Sequence, residues 1–300
     1  MRRALVLSGG GAKGVWQVGA CEHLIAERGY WFDVISGVSA GAVNAAALAP
    51  AADAHGLERE LEHLRSVWLG LRGDCDIYRR RPFGALGMVL GRRASLHDLT
   101  PLRRVLEQHL DPPRVAASPI RLRVGYVDLL AGRYHTVGNE HPALVDAVLA
   151  SCALPLVFPP VPLDRGKQLG VDGGVHNVTP LADALHALAD AGEPTDEPDE
   201  VWVLVPEPVR PVRRRAVGHW LGVVLRSVCR LGDGGLGAAA GGGDVNVRVL
   251  RPRRELRGPV LDFNPAKLRT WYDDGLRTAR EAEISGPAGY RFRGAALLSE

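Results

Sequence analysis

The fold is decided by the stretch FDVISGVSAGAVNAAAL, residues 32–48. It predicts a short apolar strand, a tight turn with Ser39 at its apex, and an alanine-rich helix. Gly37 and Gly41 complete a G-x-S-x-G motif around the serine, and such a motif between strand and helix is typical of a strained turn that exposes a nucleophile. Neither glycine carries a Cβ atom that would clash where the segments crowd together. The positive N-terminal end of the helix lies next to the serine oxygen.

A second glycine-rich turn, residues 8–14, follows a predicted buried strand over residues 4–7. Serine-based acyl transfer requires hydrogen-bond donors for the developing oxyanion. Consecutive glycines at a strand-to-helix turn aim several backbone N–H groups at one point. We therefore expect an oxyanion hole formed by the backbone N–H groups of Gly9, Gly10, Gly11, Ala12, Lys13, Gly14 and Ala40.

The candidate base is Asp172, which ends a predicted strand and is followed by Gly173 and Gly174. The two glycines allow the chain to turn and another segment to approach closely. Apolar surroundings disfavour the charged form of a carboxylate and make it a better base. Histidine bases remain open as alternatives, because a triad histidine follows the other members in hydrolases of this kind. The candidates are His176, His186 and His219.

The same glycine-rich turn has a competing interpretation as a dinucleotide-binding loop. Gly9, Gly11 and Gly14 fit the G-x-G-x-x-G spacing after a first strand, and Asp33 follows at about the distance of a ribose-binding acid. Asp33 precedes its strand rather than ending it, however, so we expect it at the wrong edge of the sheet. A P-loop is excluded, because Gly14 follows Lys13 where serine or threonine is required.

Predicted strands and helices alternate along the whole chain. This order predicts an α/β fold, a three-layer αβα sandwich with a mainly parallel central sheet. We see no convincing boundary and treat residues 1–300 as one domain. The acidic stretch 193–200 is expected to be a surface linker before a buried strand. A strand over 245–250 and a helix capped by Asn264 and Pro265 are expected to close the chain.

The composition is that of a soluble globular protein, with 46% apolar and 24% charged residues. A net charge of +3 is too small to indicate a nucleic-acid partner. Four widely separated cysteines predict neither a zinc site nor a disulfide framework. No apolar run approaches the roughly 18 residues of a spanning helix, so the expected compartment is the cytoplasm.

Two segments outside the predicted core are candidate lids. Residues 79–93 place an apolar, glycine-broken run between arginine clusters. Such a run suits either a loop tucked into the core or a peripheral contact with anionic lipid at the membrane surface. Residues 232–243 contain seven glycines and are expected to form a mobile loop.

Together the three motifs resemble the patatin-like phospholipase family. Residues 9–14 match its glycine-rich oxyanion motif, residues 37–41 its nucleophile turn, and residues 172–174 its D-G-[AG] motif. The segment Ala150–Pro155, with Phe158-Pro159-Pro160, is similar to the family's sequence between the serine and the aspartate. The resemblance covers about residues 4–205 and is loose over 206–300.

The resemblance implies a Ser39–Asp172 dyad that works without histidine, metal or other cofactor. Ser39 would attack an acyl carbonyl, Asp172 would accept its proton and later activate water, and the glycine loop would hold the oxyanion. The implied substrates are phospholipids, lysophospholipids or neutral fatty-acyl esters. Ser8 stands where many members carry aspartate, which we expect to affect hydrogen bonding in the loop. Two alternatives stay open, a dinucleotide-binding oxidoreductase and a catalytically weak regulatory protein that binds membranes through 79–93.

Overall fold

The structure is a computed structural model that describes residues 1–81, 95–191, 197–208, 244–285, 288–293 and 296–298. The strands are β1 (Arg3–Leu7), β2 (Val34–Val38), β3 (Arg79–Arg80), β4 (His97–Asp98), β5 (Arg121–Asp128), β6 (Arg133–Val137), β7 (Val161–Leu163), β8 (Gln168–Asp172), β9 (Asp199–Leu204), β10 (Asp244–Leu250), β11 (Ala288–Arg293) and β12 (Ala296–Leu298). The α-helices are α1 (Gly14–Cys21), α2 (Ala40–Leu48), α3 (Ala54–Gly70), α4 (Thr100–His109), α5 (Pro112–Ala116), α6 (Leu144–Ser151), α7 (Leu181–Ala189) and α8 (Pro265–Ser285). Residues 82–93 and 232–243 of the two expected lids, and His219, lie outside the described ranges.

Ten of the described strands form one sheet in the order β12-β11-β10-β9-β1-β2-β5-β8-β7, with β6 also paired to β5. The central strands β10, β9, β1, β2 and β5 run parallel to one another. The strands added at both ends run antiparallel. Helices cover both faces of the sheet, so the three-layer α/β sandwich predicted from the alternating pattern is confirmed.

Side chains on β1 alternate between two hydrophobic cores. Ala4 and Val6 pack with residues of β9, β10 and α7 on one face of the sheet. Leu5 and Leu7 belong to the larger core on the other face, which contains apolar residues of α1, α2, α3 and α6. A strand that is buried on both faces reads as a continuous apolar run, which is the pattern that predicted β1.

Two glycines allow α1 and α8 to pack with their backbones in contact. A Cβ atom on Gly19 would lie 2.0 Å from the carbonyl oxygen of Tyr272, and one on Gly275 would lie 2.0 Å from the carbonyl oxygen of Trp16. Trp16 also donates a hydrogen bond from Nε1 to Asp274 Oδ2 at 3.1 Å. Helix α1, which follows the glycine-rich turn of residues 8–14, is therefore anchored by α8.

The expectation that 193–200 is a surface linker is wrong for its last two residues. Asp199 and Glu200 begin β9 and are only 8% and 5% exposed. Arg2 Nη2 lies 2.6 Å from Asp199 Oδ2, and Arg3 Nε lies 2.9 Å from Glu200 Oε2. Because β1 and β9 are neighbours, the opposite charges of two distant segments meet across the strands.

The prediction that a helix closes the chain is also wrong. After α8 the chain forms β11 and β12, which extend the sheet from β10 in antiparallel pairs. Glycine and proline are frequent in residues 286–294. These residues weaken the alternating pattern by which a strand is found in a sequence.

The contact between α1 and α8 predicts a large effect of one methyl group. We expect Gly275→Ala to lower the free energy of unfolding by about 1–3 kcal/mol, because the new Cβ forces two packed helices apart. Gly70→Ala is the matched control, since nothing lies within 4 Å of a Cβ at that position of α3. Urea denaturation should show the control unchanged or slightly more stable. Equal stability of the two variants would contradict the close packing.

Candidate active site

Ser39 forms the turn between β2 and α2, as the G-x-S-x-G motif predicts. Its backbone has φ 57° and ψ −128°, a conformation that residues other than glycine rarely adopt and that costs about 1–3 kcal/mol. Such strain is typical of a nucleophile turn between strand and helix. Ser39 is partly exposed, whereas its neighbours Val38 and Ala40 are buried, so its hydroxyl is the accessible polar side chain of the turn.

The two glycines of the motif are required by close backbone contacts. A Cβ atom on Gly37 would lie 2.1 Å from the carbonyl oxygen of Gly41, and one on Gly41 would lie 2.0 Å from the carbonyl oxygen of Leu7. A side chain at either position would push α2 away from the ends of β1 and β2. The motif therefore requires glycine at positions 37 and 41 for a steric reason, as predicted.

The strands β2 and β8 share one edge of β5. β2 pairs with residues 121–125 of β5, and β8 pairs with residues 126–128. β6 pairs with residues 124–128, overlapping both of them. Because a strand has only two edges, β6 occupies one edge, and β2 and β8 lie one after the other along the second edge.

This arrangement brings the ends of β2 and β8 together. Val38 lies opposite Gly125, and Asp172 lies opposite Tyr126, the next residue of β5. β2 runs parallel to β5 and β8 runs antiparallel to it, so their carboxyl ends face each other. Ser39 follows the end of β2, and its side chain lies near the Asp172 carboxylate, whose pKa it lowers.

Asp172 is a buried carboxylate, 5% exposed. Its Oδ1 accepts a hydrogen bond from the N–H of Gly174 at 2.8 Å, and its own N–H donates to the carbonyl of Ala153 at 2.9 Å. Burial raises the pKa of Asp172 to about 6, although the N–H of Gly174 and the nearby Ser39 hydroxyl oppose the shift. The carboxyl group thus titrates close to neutral pH, where a general base is most effective.

Of the two glycines after Asp172, Gly173 is sterically required and Gly174 is tightly packed. A Cβ atom on Gly173 would lie 2.4 Å from the carbonyl oxygen of Gly125, and one on Gly174 would lie 3.0 Å from Asp172 Oδ1. The turn is therefore packed directly against β5, which fixes the direction of the carboxylate.

Ser151 is a supporting residue whose role the sequence did not reveal. Its hydroxyl oxygen accepts a hydrogen bond from the N–H of Ser39 at 2.8 Å and donates to the carbonyl of Gly125 at 2.6 Å. The side chain is fully buried at the last turn of the apolar helix α6. A serine in that setting is the signal that could have identified it, because buried hydroxyl groups need partners.

The glycine-rich turn of residues 8–14 packs against the Ser39 turn. A Cβ atom on Gly9 would lie 3.4 Å from Ser39 Cβ, and one on Gly14 would lie 2.8 Å from Ala40 Cβ. Gly11 has φ 56°, and a Cβ there would lie 2.1 Å from the carbonyl oxygen of Val260. A side chain at Gly11 or Gly14 would force its neighbours to shift, and these close contacts hold the loop near the serine.

Most of the N–H groups predicted to form the oxyanion hole already have backbone acceptors. Residues 11–13 form a 3₁₀ turn directly after the loop, and such a turn uses the amides that follow it. Four of these N–H groups already donate a hydrogen bond to a backbone carbonyl: Gly9 to Val178 O at 2.9 Å, Ala12 to Val260 O at 2.7 Å, Lys13 to Gly10 O at 3.2 Å, and Gly14 to Gly11 O and Ala12 O. In the described part of the chain, the N–H groups of Gly10, Gly11 and Ala40 have no acceptor.

A buried polar side chain links the loop to the sheet. Gln17 Nε2 donates to the carbonyl oxygens of Ser8 at 2.7 Å and Leu204 at 3.1 Å. Ser8 is buried and donates its hydroxyl to the same Leu204 carbonyl at 3.1 Å. The expectation that Ser8 affects hydrogen bonding in the loop is consistent with these contacts. Lys13 is 8% exposed, so it is not an ordinary surface lysine.

A second buried side chain ties α1 to α2. Asn44 Nδ2 donates to the carbonyl of Gly14 and to Gln17 Oε1, both at 3.0 Å. Trp68 Nε1 donates to Asn44 Oδ1 at 2.8 Å. The helices after the glycine loop and after the serine are therefore locked together, and sequence reasoning missed all three side chains.

The two described histidines that were candidate bases are both exposed. His176 stacks on Tyr134 with ring centroids 5.4 Å apart, and His186 lies on the solvent side of α7. Within the described ranges, no imidazole forms a hydrogen bond with Ser39 or Asp172. The structure thus brings the aspartate, rather than a described histidine, to the serine.

Asp33 lies at the wrong end of the sheet for dinucleotide binding. Its carboxylate accepts a hydrogen bond from the N–H of Arg3 at 2.8 Å. β1 and β2 are parallel, with Ala4 opposite Val34 and Leu7 opposite Gly37. Asp33 therefore sits at the amino edge, whereas the glycine loop lies at the carboxyl edge, and the dinucleotide interpretation is wrong.

The described residues contain no cluster of three or more histidine, cysteine, aspartate or glutamate side chains arranged to hold a metal ion. Among the described helices, none combines the length and the apolar character that crossing a membrane requires.

Comparison with known proteins identifies the family. A sequence model of the patatin-like phospholipase family matches residues 5–185, more than half of the chain and all three glycine-containing motifs. The chain belongs to the patatin-like phospholipase family. This membership confirms the resemblance found in the sequence, and the family is one of lipid hydrolases.

Individual patatin-like relatives are distant. A cGAMP-activated phospholipase from Pseudomonas aeruginosa is 29% identical over 197 residues, which are 61% of this chain and 56% of the relative. The chain thus spans a little over half the length of that relative.

Two solved structures are similar in fold. VipD from Legionella pneumophila has a TM-score of 0.47 at 14% identity, covering 97% of this chain and 68% of that one. ExoU in its complex with SpcU from the type III secretion system of Pseudomonas aeruginosa has a TM-score of 0.39 at 16% identity, covering 98% and 54%. At these scores neither similarity bears on function.

The burial of Asp172 predicts a dependence of stability on pH. Its pKa is about 6 in the folded chain and about 3.9 in the unfolded chain, so the folded state binds the proton more tightly. Stability is therefore lost as the pH rises from about 4 to about 6. We expect Asp172→Asn to raise the free energy of unfolding by up to about 3 kcal/mol at about pH 8 and to change it little at about pH 4. Urea denaturation at the two pH values measures this, and a pH-independent difference would contradict it.

Proposed function

We propose that this protein is a serine lipid acyl hydrolase that forms an acyl-enzyme on Ser39 with Asp172 as its base. The observation that carries the proposal is the meeting of the ends of β2 and β8, which brings Ser39, on its strained turn, next to the buried carboxylate of Asp172. Membership of a lipid hydrolase family supports the same chemistry.

In the first step Asp172 takes the proton from Ser39 Oγ as the oxygen attacks the acyl carbonyl carbon. The tetrahedral intermediate carries negative charge on the former carbonyl oxygen. The C–O bond to the alcohol then breaks, and the alcohol leaves with the proton from Asp172. The acyl group remains on Ser39 as an ester.

In the second step the ionised Asp172 takes a proton from water, whose oxygen attacks the acyl-enzyme. The second tetrahedral intermediate collapses to the free fatty acid. Ser39 Oγ leaves and regains its proton from Asp172, so the dyad returns to its starting state. One carboxylate serves as base and acid in turn.

The oxyanion is received by the backbone N–H groups of Gly10, Gly11 and Ala40. These are the members of the expected donor set that have no acceptor in the described chain. The N-terminus of α2 begins at the serine, and its dipole favours negative charge there. Losing one donor of this type typically costs about 2.7–4 kcal/mol of barrier stabilisation.

The proposed substrates are phospholipids, lysophospholipids or neutral fatty-acyl esters, reached at a membrane or in a micelle. The chemistry needs no metal or other cofactor. The regulatory alternative relies on residues 79–93, most of which lie outside the described chain, and it predicts membrane binding without turnover.

Substitutions in the dyad test the proposal. With a p-nitrophenyl acyl ester as substrate, we expect Ser39→Ala and Asp172→Asn each to lower kcat/KM by at least about 10³-fold, because each removes an essential part of one unit. Labelling by a fluorophosphonate, followed by mass spectrometry, should occur in the wild type and be lost in Ser39→Ala. His176→Ala is the control and should retain substantial activity.

Two outcomes would refute the proposal. A wild-type protein that neither reacts with the fluorophosphonate nor hydrolyses any ester is not a serine hydrolase. Loss of several orders of magnitude in His176→Ala, with a normal unfolding transition, would indicate a triad that uses an imidazole.

The raised pKa of Asp172 predicts the acid limb of the rate profile. The base must be ionised in the free enzyme, so kcat/KM should rise with pH, reach half its maximum near pH 6 and level off above it. Asp183 is the matched control, since burial also raises the pKa of its carboxyl. Asp183→Asn should keep the acid limb. If that variant removes or shifts the limb, the assignment to Asp172 is wrong.

A further inference from the structure

Two adjacent leucines are exposed at the turn between β5 and β6. Leu129 is 53% and Leu130 is 63% exposed, and among the described residues only Met1 and Leu156 are comparable large apolar side chains. A single exposed leucine is ordinary in a folded protein, whereas a contiguous pair at a turn is a candidate contact site.

The turn projects from the edge of the sheet that carries the proposed dyad. β5 continues past Gly125, the partner of Val38, for three more residues in the direction in which β2 leads to Ser39. At about 3.3 Å per residue, the turn stands roughly 13 Å beyond the end of β2. The leucines therefore lie beyond the carboxyl end of β2, at the same edge of the sheet as Ser39.

A second turn, between β7 and β8, is fastened beside the first. The buried carboxylate of Asp128 accepts hydrogen bonds from the N–H groups of Leu130 and Leu169, both at 3.1 Å. Leu129 N–H donates to the carbonyl of Leu169, and Gly132 N–H donates to the carbonyl of Asp128, both at 2.8 Å. These bonds hold the first turn against the start of β8, and the strand pairing places the turn before β8 at the same end of the sheet. The two turns together are here named the docking tip, residues 129–133 and 164–167.

The charge of the docking tip is mainly positive. Arg133, Arg165 and Lys167 are exposed, and Asp164 is its only exposed carboxylate. Lys167 Nζ lies 3.8 Å from Asp164 Oδ2, with both side chains more than half exposed, so the pair is loose and screened by water. Apolar side chains at an apex with cations behind them match the order of an anionic bilayer, whose acyl region lies beneath phosphate groups.

We propose that the docking tip binds the surface of an anionic lipid bilayer, with Leu129 and Leu130 in the interface and the basic side chains at the phosphate groups. The inference rests on the proposed function, because a lipid substrate gives the surface its purpose. A second copy of the chain is a poorer occupant. Two leucines and three cations cover much less than the roughly 800 Å² per partner of a stable interface.

Vesicle flotation tests the proposal with the full chain in its Ser39→Ala form, so that binding is separated from chemistry. The probes are vesicles of phosphatidylcholine alone and of equal parts phosphatidylcholine and phosphatidylglycerol. We expect Leu129→Ser with Leu130→Ser to lower the partition coefficient on both by roughly tenfold or more. Arg165→Ala with Lys167→Ala should lower it by roughly tenfold on the anionic vesicles alone, and added salt should reduce that difference.

Arg59→Ala with Arg269→Ala is the control, since it removes the same charge from exposed positions on α3 and α8. It should bind as the unsubstituted chain does, and all variants should share one thermal transition. Equal binding of the tip variants and the control would overturn the proposal. So would sedimentation showing self-association that the leucine variant abolishes while vesicle binding persists.

Failure of docking is distinguishable from failure of the proposed function. If the enzyme with Ser39 intact hydrolyses a water-soluble ester but its flotation does not depend on the tip, the hydrolase proposal stands and the docking-tip proposal is wrong. Tip-dependent flotation without turnover leaves a membrane-binding protein that is not a hydrolase.

Discussion

The active-site geometry depends on one constraint, the division of a single edge of β5 between two strands that run towards each other. Gly125 is the last partner of β2, and Tyr126 is the first residue of β5 to pair with Asp172 of β8. The carboxyl ends of β2 and β8 must then meet, and the residues placed there are Ser39 and Asp172. The carbonyl of Gly125 also receives the hydroxyl of Ser151, so one peptide of β5 fixes the serine turn and the acidic turn together.

Glycines allow the two strand ends to meet. Gly37, Gly41 and Gly173 each lie where a Cβ would come within 2.4 Å of a backbone oxygen. The Ser39 turn, the end of β1 and the turn after Asp172 are therefore packed closely together. The same compression leaves Asp172 only 5% exposed. Burial then raises the pKa of this carboxyl to about 6, which is the property that the proposed base requires. Backbone packing and acid–base chemistry therefore have one origin.

The sequence revealed those parts of the site that depend on local conformation. The G-x-S-x-G turn, the glycine loop and the Asp-Gly-Gly turn each have a backbone requirement that only particular residues meet, and family membership followed from the three in order. Partnerships between distant segments were not visible. Ser151 bonds to a residue 112 positions away, and Asp199 pairs with Arg2 from 197 positions away. Which loop amides have acceptors depends on the 3₁₀ turn of residues 11–13 and on the distant carbonyls of Val178 and Val260, and composition encodes neither.

A crystal structure of the protein after reaction with a fluorophosphonate tests the central claim most directly. The account predicts phosphorus bonded to Ser39 Oγ, the phosphonyl oxygen within hydrogen-bond distance of the N–H groups of Gly10, Gly11 and Ala40, and the Asp172 carboxylate beside the adduct. An adduct on another residue, an imidazole in the position of Asp172, or a phosphonyl oxygen turned away from the glycine loop would contradict it.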